Sequence, residues 1–260
     1  MKRLIPFEKY EATGNDFIIF DFFEFELFDL SDKDFIKSLC DRHFGIGADG
    51  LIALKKEEGL DFRMKYFNSD GRISSFCGNG SRASVKYMAT KQSKKEFCFV
   101  AEDGLHLGRI KNDLVSVKMK DISSFQTTSY GKVIDSGSPH LIIEVANLVD
   151  FPVVEEGRKL RLLFGEDGVN VNFISKNDRG IQIATYERGV EWETLACGTG
   201  VTAAAYYFCL LDQLNGRHHV NIEAKGGPLN VSLNINEQTA TDIWLNGGAR
   251  KVFSGFYELE

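Results

Sequence analysis

Residues 74–87 read SSFCGNGSRASVKY, and residues 194–207 read TLACGTGVTAAAYY. Both carry Cys-Gly-x-Gly-x-x-Ala-x-x-x-Tyr, each at the start of a helical pattern, with Cys77 and Cys197 120 residues apart. Outward from this pair, three more landmarks repeat in the same order. TGNDFIIF (13–20) matches SGSPHLII (136–143), HFGIGADGLI (43–52) matches LFGEDGVNVNFI (163–174), and FRMKYFNSDG (62–71) matches IQIATYERG (181–189). Four landmarks in one register identify a duplication, and a repeat resets the fold expected of a chain.

The elements expected of each half agree. A β-branched and aromatic strand lies near Ile18 or Ile142. A helix follows, over 31–42, where Ser31 or Asp32 can cap, or over 154–164. Two strands come next, with turns at Asp70-Gly71 and Asn177-Asp178, and then the cysteine helix. Strands over 97–101, 105–110 and 114–118, and over 219–225, 229–235 and 240–245, close the halves. The helix at 198–211 is apolar nearly all round, so sheet should surround it. The expected fold is α+β: two pseudo-symmetric duplicated domains, each a curved mixed β-sheet wrapped around a central helix. The N-terminal half spans 1–125 and is joined by a strand at 250–260. The C-terminal half spans 126–249.

Composition narrows the function. Against 37 acidic residues stand 31 basic ones, a net charge of −6, which disfavours a nucleic-acid partner. The basic run 91–95 reads as a solvated helix end. Residues 194–211 lack charge but fall short of the roughly 20 apolar residues of a spanning helix, so no membrane partner is expected. The N-terminus has no apolar run suited to a signal peptide. Five cysteines without a CxxC make neither a disulfide framework nor a zinc site, and a reducing cytoplasm is the expected compartment. Cys40, Cys98 and Cys209 read as core.

Cys77 and Cys197 read differently. The thiolate is the reactive form of cysteine, and a helix N-terminus lowers a thiol pKa from about 8.5 toward roughly 3.5–7.5. Glycines let backbone N–H groups approach a ligand, and those groups with the helix dipole bind a carboxylate. Two such thiols facing each other across a domain cleft suit inversion at a carbon bearing a weakly acidic hydrogen. One thiolate removes the proton from one face and the other thiol delivers a proton to the opposite face. Positioned proton transfer contributes about 10²–10⁴-fold. The remainder comes from stabilising the carbanion, here by helix N-termini aimed at the substrate carboxylate.

The chain resembles the diaminopimelate epimerase family. The resemblance runs through TGNDF (13–17), FNSDG (67–71), CGNGSR (77–82), PH (139–140), VN (169–170), ERG (187–189), ACGTG (196–200) and the closing GG…VFSG pattern (247–255). It implies a cofactor-independent two-base epimerase of diaminopimelate and a homodimer, with no metal. Cys77 and Cys197 would be the acid–base thiols, with His140 and Glu187 tuning them. Gly78, Asn79, Gly198 and Thr199 would hold the reacting carboxylate, and Asn15 would contact the same end. Asn68, Asn170, Glu187 and Arg188 would read the distal end of the substrate. Three departures stand out: Ser138 before Pro139-His140, Gly50 after Asp49, and one extra residue in ERGVEWETLAC (187–197). A proline or hydroxyproline racemase, a non-catalytic amino-acid-binding protein and a redox sensor bridging Cys77 to Cys197 are the competing readings.

Overall fold

The run NDFIIFD forms a strand, Asn15–Asp21, whose apolar residues are buried on both faces. Phe17 and Ile19 enter one core with Ile52, Leu54, Ala83 and Met88. Ile18 and Phe20, pointing the other way, enter a second core with Leu51, Ala53, Ile36 and Leu39. Side chains alternate along a strand, so a continuous apolar run means that both faces are covered. Ala83 and Met88 belong to one helix and Ile36 and Leu39 to another, so the sheet is a layer between helices.

The computed structural model describes residues 3–166, 168–178 and 180–259. Met1 and Glu260, the ends of the expected first half and its returning strand, lie outside the described residues, as does Asp167 of the second Phe-Gly landmark. The chain divides into two units: residues up to Val117 together with those from Gly248 onward, and Lys118–Gly247. In chain order the elements of the first are β1 (Arg3–Ala12), β2 (Asn15–Asp21), α1 (Lys33–Cys40), β3 (Gly50–Lys55), β4 (Phe62–Asn68), β5 (Ile73–Ser74), α2 (Gly78–Lys91), β6 (Glu96–Ala101), β7 (Gly104–Lys111) and β8 (Leu114–Lys118). The second unit follows with β9 (Phe125–Thr127), β10 (Lys132–Asp135), β11 (Pro139–Glu144), α3 (Val153–Leu162), β12 (Asn170–Asn177), β13 (Gly180–Glu187), β14 (Trp192–Thr194), α4 (Gly198–Leu211), β15 (Gly216–Ala224), β16 (Gly227–Asn236) and β17 (Thr239–Gly248). The last strand, β18 (Arg250–Leu259), pairs antiparallel with β1.

The topologies are copies. The first sheet runs β18-β1-β2-β3-β4-β6-β7-β8, and β2/β3 and β4/β6 are parallel pairs joined through α1 and α2. The second runs β9-β10-β11-β12-β13-β15-β16-β17, and β11/β12 and β13/β15 are parallel pairs joined through α3 and α4. Parallel neighbours require such crossovers. Each unit is therefore α+β, a mixed sheet around a central helix, α2 or α4. In the second unit Leu141, Val171, Phe173 and Tyr186 meet Val153 of α3 on one face, and α4 packs on the other. No helix among the described residues is long and apolar enough to cross a membrane.

Local chemistry sets the ends. Asp32 caps α1, accepting from the Phe35 N–H at 2.9 Å. Thr13 and Gly14 make the two-residue β1–β2 turn, both with positive φ, 55° and 82°. Glycine takes that conformation without strain, but a β-branched threonine does so only when held.

The structure departs from expectation in two places. The first break falls at Val117/Lys118 instead of 125/126, because the intervening stretch is already committed to the second unit. Met119 N–H donates to Ile243 O, Ile122 bridges Ala240, and β9 pairs with β10. Cys98 is only half-buried, because Phe97 and Phe99 take the inward positions of β6. Cys40 and Cys209 are buried, and burial pushes both thiols up to about 12.

Candidate active site

Cys77 is the N-cap of α2, and its sulfur accepts the Gly80 N–H at 3.3 Å. The thiol thus occupies the place of the oxygen in an ordinary cap. Its Sγ lies 3.9 Å from Asn15 Oδ1, which also accepts from Asn79 Nδ2 at 3.4 Å. The other end of the Asn15 amide donates to Asp49 Oδ2 at 2.7 Å. A carboxylate can only accept, so Asp49 orients this amide with its oxygen toward the sulfur. Asp49 is itself anchored: Arg42 Nη2 bonds both Asp49 Oδ1 and Asp16 Oδ1 at 2.7 Å, and Lys9 pairs with Asp16. Burial alone would raise the Asp16 carboxyl, but Arg42 and Lys9 outweigh it and hold the group well below the usual carboxylate range. Gly78 and Asn79 are buried in the first helical turn, where backbone N–H groups lack helical partners. Asn68 is exposed at the end of β4, on the turn closed by Gly71.

Gly50, one of the three departures, has a steric cause. A Cβ there would lie 2.5 Å from Phe67 O and from the Tyr66 ring. Tyr66 fills the space that a longer side chain at position 50 would need.

Cys197 is the N-cap of α4 and is buried, its Sγ 3.4 Å from the Thr199 hydroxyl. Thr199 Oγ1 lies 2.9 Å from His140 Nε2, and His140 Nδ1 lies 3.0 Å from Asn172 Nδ2. Asn172 Oδ1 accepts from the Thr185 hydroxyl, and its Nδ2 also donates to Leu141 O. These bonds orient the Asn172 amide with its N–H toward the imidazole. Nδ1 therefore accepts, Nε2 carries the proton and donates to Thr199, and the Thr199 hydroxyl is left to donate to the sulfur. Burial lowers the His140 pKa to about 3, against the raising effects of Asn172 and Asp135, so the ring is neutral at neutral pH. Thr199 stands between His140 and Cys197, within hydrogen-bond distance of both.

Register shows how the units diverge. His140, Asn172 and Thr185 face α4 from positions that Phe17, Ile52 and Tyr66 hold under α2. Correspondingly, a Cβ on Gly200 would meet Asn172, whereas one on Gly80 would meet Ile52. Polar support reaches Cys197 from the sheet and Cys77 from its own helix and the β1–β2 turn.

The distal set is partly internal. Asn170 is buried, its Nδ2 donating to Ser138 Oγ at 2.9 Å and its Oδ1 accepting the Arg188 N–H at 3.0 Å. It holds the backbone of Arg188 and uses Ser138, the second departure, to do so. Glu187 and Arg188 are half-exposed at the end of β13. The extra residue beyond them is absorbed at Glu191, whose φ is 57°. Its carboxylate accepts from the Gly189 N–H and the Tyr186 hydroxyl and pairs with Arg161. Sequence reasoning missed Asn172, Thr185 and Arg82. Only Arg82 left a signal, inside CGNGSR.

This duplicated α+β architecture recurs in solved structures. A PhzF-family phenazine biosynthesis protein from Bacillus anthracis superposes with a TM-score of 0.79 at 14% identity, covering 99% of each chain. A hydroxyproline epimerase from Agrobacterium vitis superposes at 0.70 and 13% identity, covering all of this chain and 94% of that one. At such identities the likeness shows the fold alone.

Sequence comparison goes further. The family model for diaminopimelate epimerase matches residues 7–123 and 132–252. The diaminopimelate epimerase of Flavobacterium psychrophilum is 42% identical over 251 residues, 94% of this chain and 97% of that one. That of Archaeoglobus fulgidus is 34% identical over 280, covering 98% and 97%. The chain belongs to the diaminopimelate epimerase family.

Proposed function

We propose that the protein interconverts LL- and meso-2,6-diaminopimelate by moving a proton at Cα, a step in lysine and peptidoglycan precursor synthesis. One observation carries this reading: a chain of that family places a cysteine at the N-cap of the central helix in each duplicated unit. One cysteine, as thiolate, takes the Cα hydrogen as a proton and becomes a thiol. The other, a thiol, gives its proton to the opposite face and becomes a thiolate. Atoms and charge balance with no cofactor or metal, and the reverse reaction exchanges the two roles. Backbone N–H groups at Gly78-Asn79 and Gly198-Thr199 bind the reacting carboxylate and stabilise charge as it moves off Cα, and Asn15, whose amide oxygen faces Cys77, contacts the same end of the substrate. Glu187 pairs with the distal ammonium. Arg188, held by Asn170, and Asn68 meet the distal carboxylate. The relay from Thr185 to Thr199 keeps the proton on Cys197 available.

The test follows the α-hydrogen by NMR in D₂O with LL- or meso-diaminopimelate. Uptake of α-deuterium with inversion, in protein freed of pyridoxal phosphate and metal, is the expected result. Exchange with proline and not with diaminopimelate would move the reading to a proline-type racemase. Binding without exchange would make the chain a binding protein.

Two further parts of the reading concern the setting. A Cys77–Cys197 disulfide would remove both acid–base groups, so a reducing cytoplasm suits the chemistry. A homodimer suits β18, which ends the first sheet and exposes Val252, Phe253 and Phe256. An apolar ten-residue edge strand invites pairing with a second copy. Sedimentation equilibrium should give twice the chain mass, with Phe256→Asp shifting it toward monomer. A wild-type monomer at micromolar concentration would sink the dimer.

A further inference from the structure

Arg82, five residues beyond Cys77 in α2, is fully buried. Its Nη2 donates to Thr13 Oγ1 at 2.8 Å and to Asn79 Oδ1 at 2.9 Å, and its Nε and Nη1 have no hydrogen-bond partner among the described residues. A guanidinium without a bonded carboxylate is costly to bury. One acceptor, Asn79, lies in the Cys77 turn, and the other, Thr13, in the β1–β2 turn beside it. The bond to Thr13 holds that residue at its left-handed φ, beside Asn15. The bond to Asn79 turns that amide so that its Nδ2 faces Asn15 Oδ1, the oxygen next to the sulfur.

We propose that Arg82 is the positioning residue of the Cys77 thiol, fixing the Asn79–Asn15 pair against the sulfur and supplying the positive charge that makes Cys77 the more acidic of the two active cysteines. The proposal rests on the reading of Cys77 and Cys197 as the acid–base pair. Burial lowers the Arg82 pKa to about 10, and the charges opposing that fall are the Cys77 thiolate and Glu11. Glu11 is already engaged by the Gly14 N–H and Arg250. Around the Cys77 sulfur, Gly80 N–H and Arg82 favour the thiolate, and the Asn15 carbonyl receives the proton of the thiol.

The matching place in the second unit holds no arginine, although the Thr199 hydroxyl favours the Cys197 thiolate as the Gly80 N–H does that of Cys77. The residue five beyond Cys197 is Thr202, whose hydroxyl donates to Gly198 O in its own helix. His140 is neutral. The cation acting on it is Arg188, half-exposed and therefore screened, and Asp135 opposes that effect.

Alkylation by iodoacetamide from about pH 5.5 to 9.5, quantified for each cysteine by peptide mass spectrometry, tests the proposal on the full chain. The pH midpoint is compared rather than the rate, so access of the reagent to each sulfur does not enter; burial also raises a thiol midpoint, and the shift in Arg82→Met isolates the share of the arginine. A charge of opposite sign nearby moves a pKa by about 1–3 units, so the Cys77 midpoint should lie at least about 1 unit below that of Cys197. Arg82→Met should raise it by about that amount and leave Cys197 in place, and Arg82→Lys should restore most of the difference. Coincident midpoints, a lower midpoint at Cys197, or an unmoved Cys77 in Arg82→Met would overturn the proposal. Should Arg82→Met fail to fold, Arg82→Gln, which keeps amide donors for Thr13 and Asn79 without the charge, takes its place, and an unmoved Cys77 midpoint there overturns the proposal equally. Failure here with deuterium exchange intact removes only the role of Arg82, whereas loss of exchange in the wild-type protein removes the reading of function itself.

Discussion

Cys77→Ala and Cys197→Ala each lower steady-state epimerisation by at least about 10²–10⁴-fold, the contribution of one positioned proton-transfer group. The expected loss is similar for both, although one sulfur is half-buried with a backbone cap and the other is buried against a hydroxyl. Inversion needs a base on one face and an acid on the other, so either deletion breaks the cycle. The effects should be far from additive, and the double variant should be scarcely slower than either single one. Stability separates the two. Cys77→Ala removes a cap on the Gly80 N–H and should cost about 1 kcal/mol, within the range for lost caps. Cys98→Ala, on the outer side of β6, should retain full turnover. Following both substrate isomers by NMR or circular dichroism decides the matter, and wild-type activity in either Cys77→Ala or Cys197→Ala would sink the two-base assignment.

Much of this fold was legible because the duplication imposes internal consistency. CGNG and CGTG, the NDFIIF strand and the FNSDG turn each carry a local physical signal, and a second copy in register makes chance a poor explanation. The end of the first unit was not legible. ISSFQTTSY (122–130) has the composition of a linker, yet Ile122 bridges Ala240, far along the chain, and Phe125–Thr127 pair with β10, so both are committed to the second unit. The thiols were legible as a pair, but their different surroundings were not. That His140 replaces Phe17, and Asn172 replaces Ile52, is a matter of sheet register. Register is set by pairing between strands and leaves no local mark. Asn170 shows a different gap, since a polar residue in a motif reads as a ligand contact and its internal bonds leave no mark in the sequence. Here its amide bonds Ser138 and the Arg188 N–H.

Gly200→Ala should be among the most damaging single-methyl changes in the chain, and Gly80→Ala at the matching position close to neutral for stability. Helix propensity alone predicts a gain of about 1 kcal/mol for either. Space decides otherwise. A Cβ at position 200 would stand 2.5 Å from Asn172 Oδ1 and 3.3 Å from His140 Cε1 and Nδ1. That oxygen cannot swing away cheaply, because Thr185 donates to it and the same amide is tied to His140 and Leu141 O. Either α4 lifts off the sheet or the relay breaks with polar atoms left buried. Overpacking costs about 1–3 kcal/mol and an unsatisfied buried polar group a similar amount, so a loss of about 2–4 kcal/mol is expected. Turnover should fall about 10²-fold as Thr199 and Cys197 shift. At position 80 the nearest atom is the Ile52 Cδ1 methyl at 3.3 Å, the far end of a flexible side chain. Thermal melts of the two variants measure the contrast, and equal midpoints would refute it. Steric origin has its own signature: in an Asn172→Ala background the oxygen is gone, so adding Gly200→Ala should cost almost nothing more, a strongly non-additive pair.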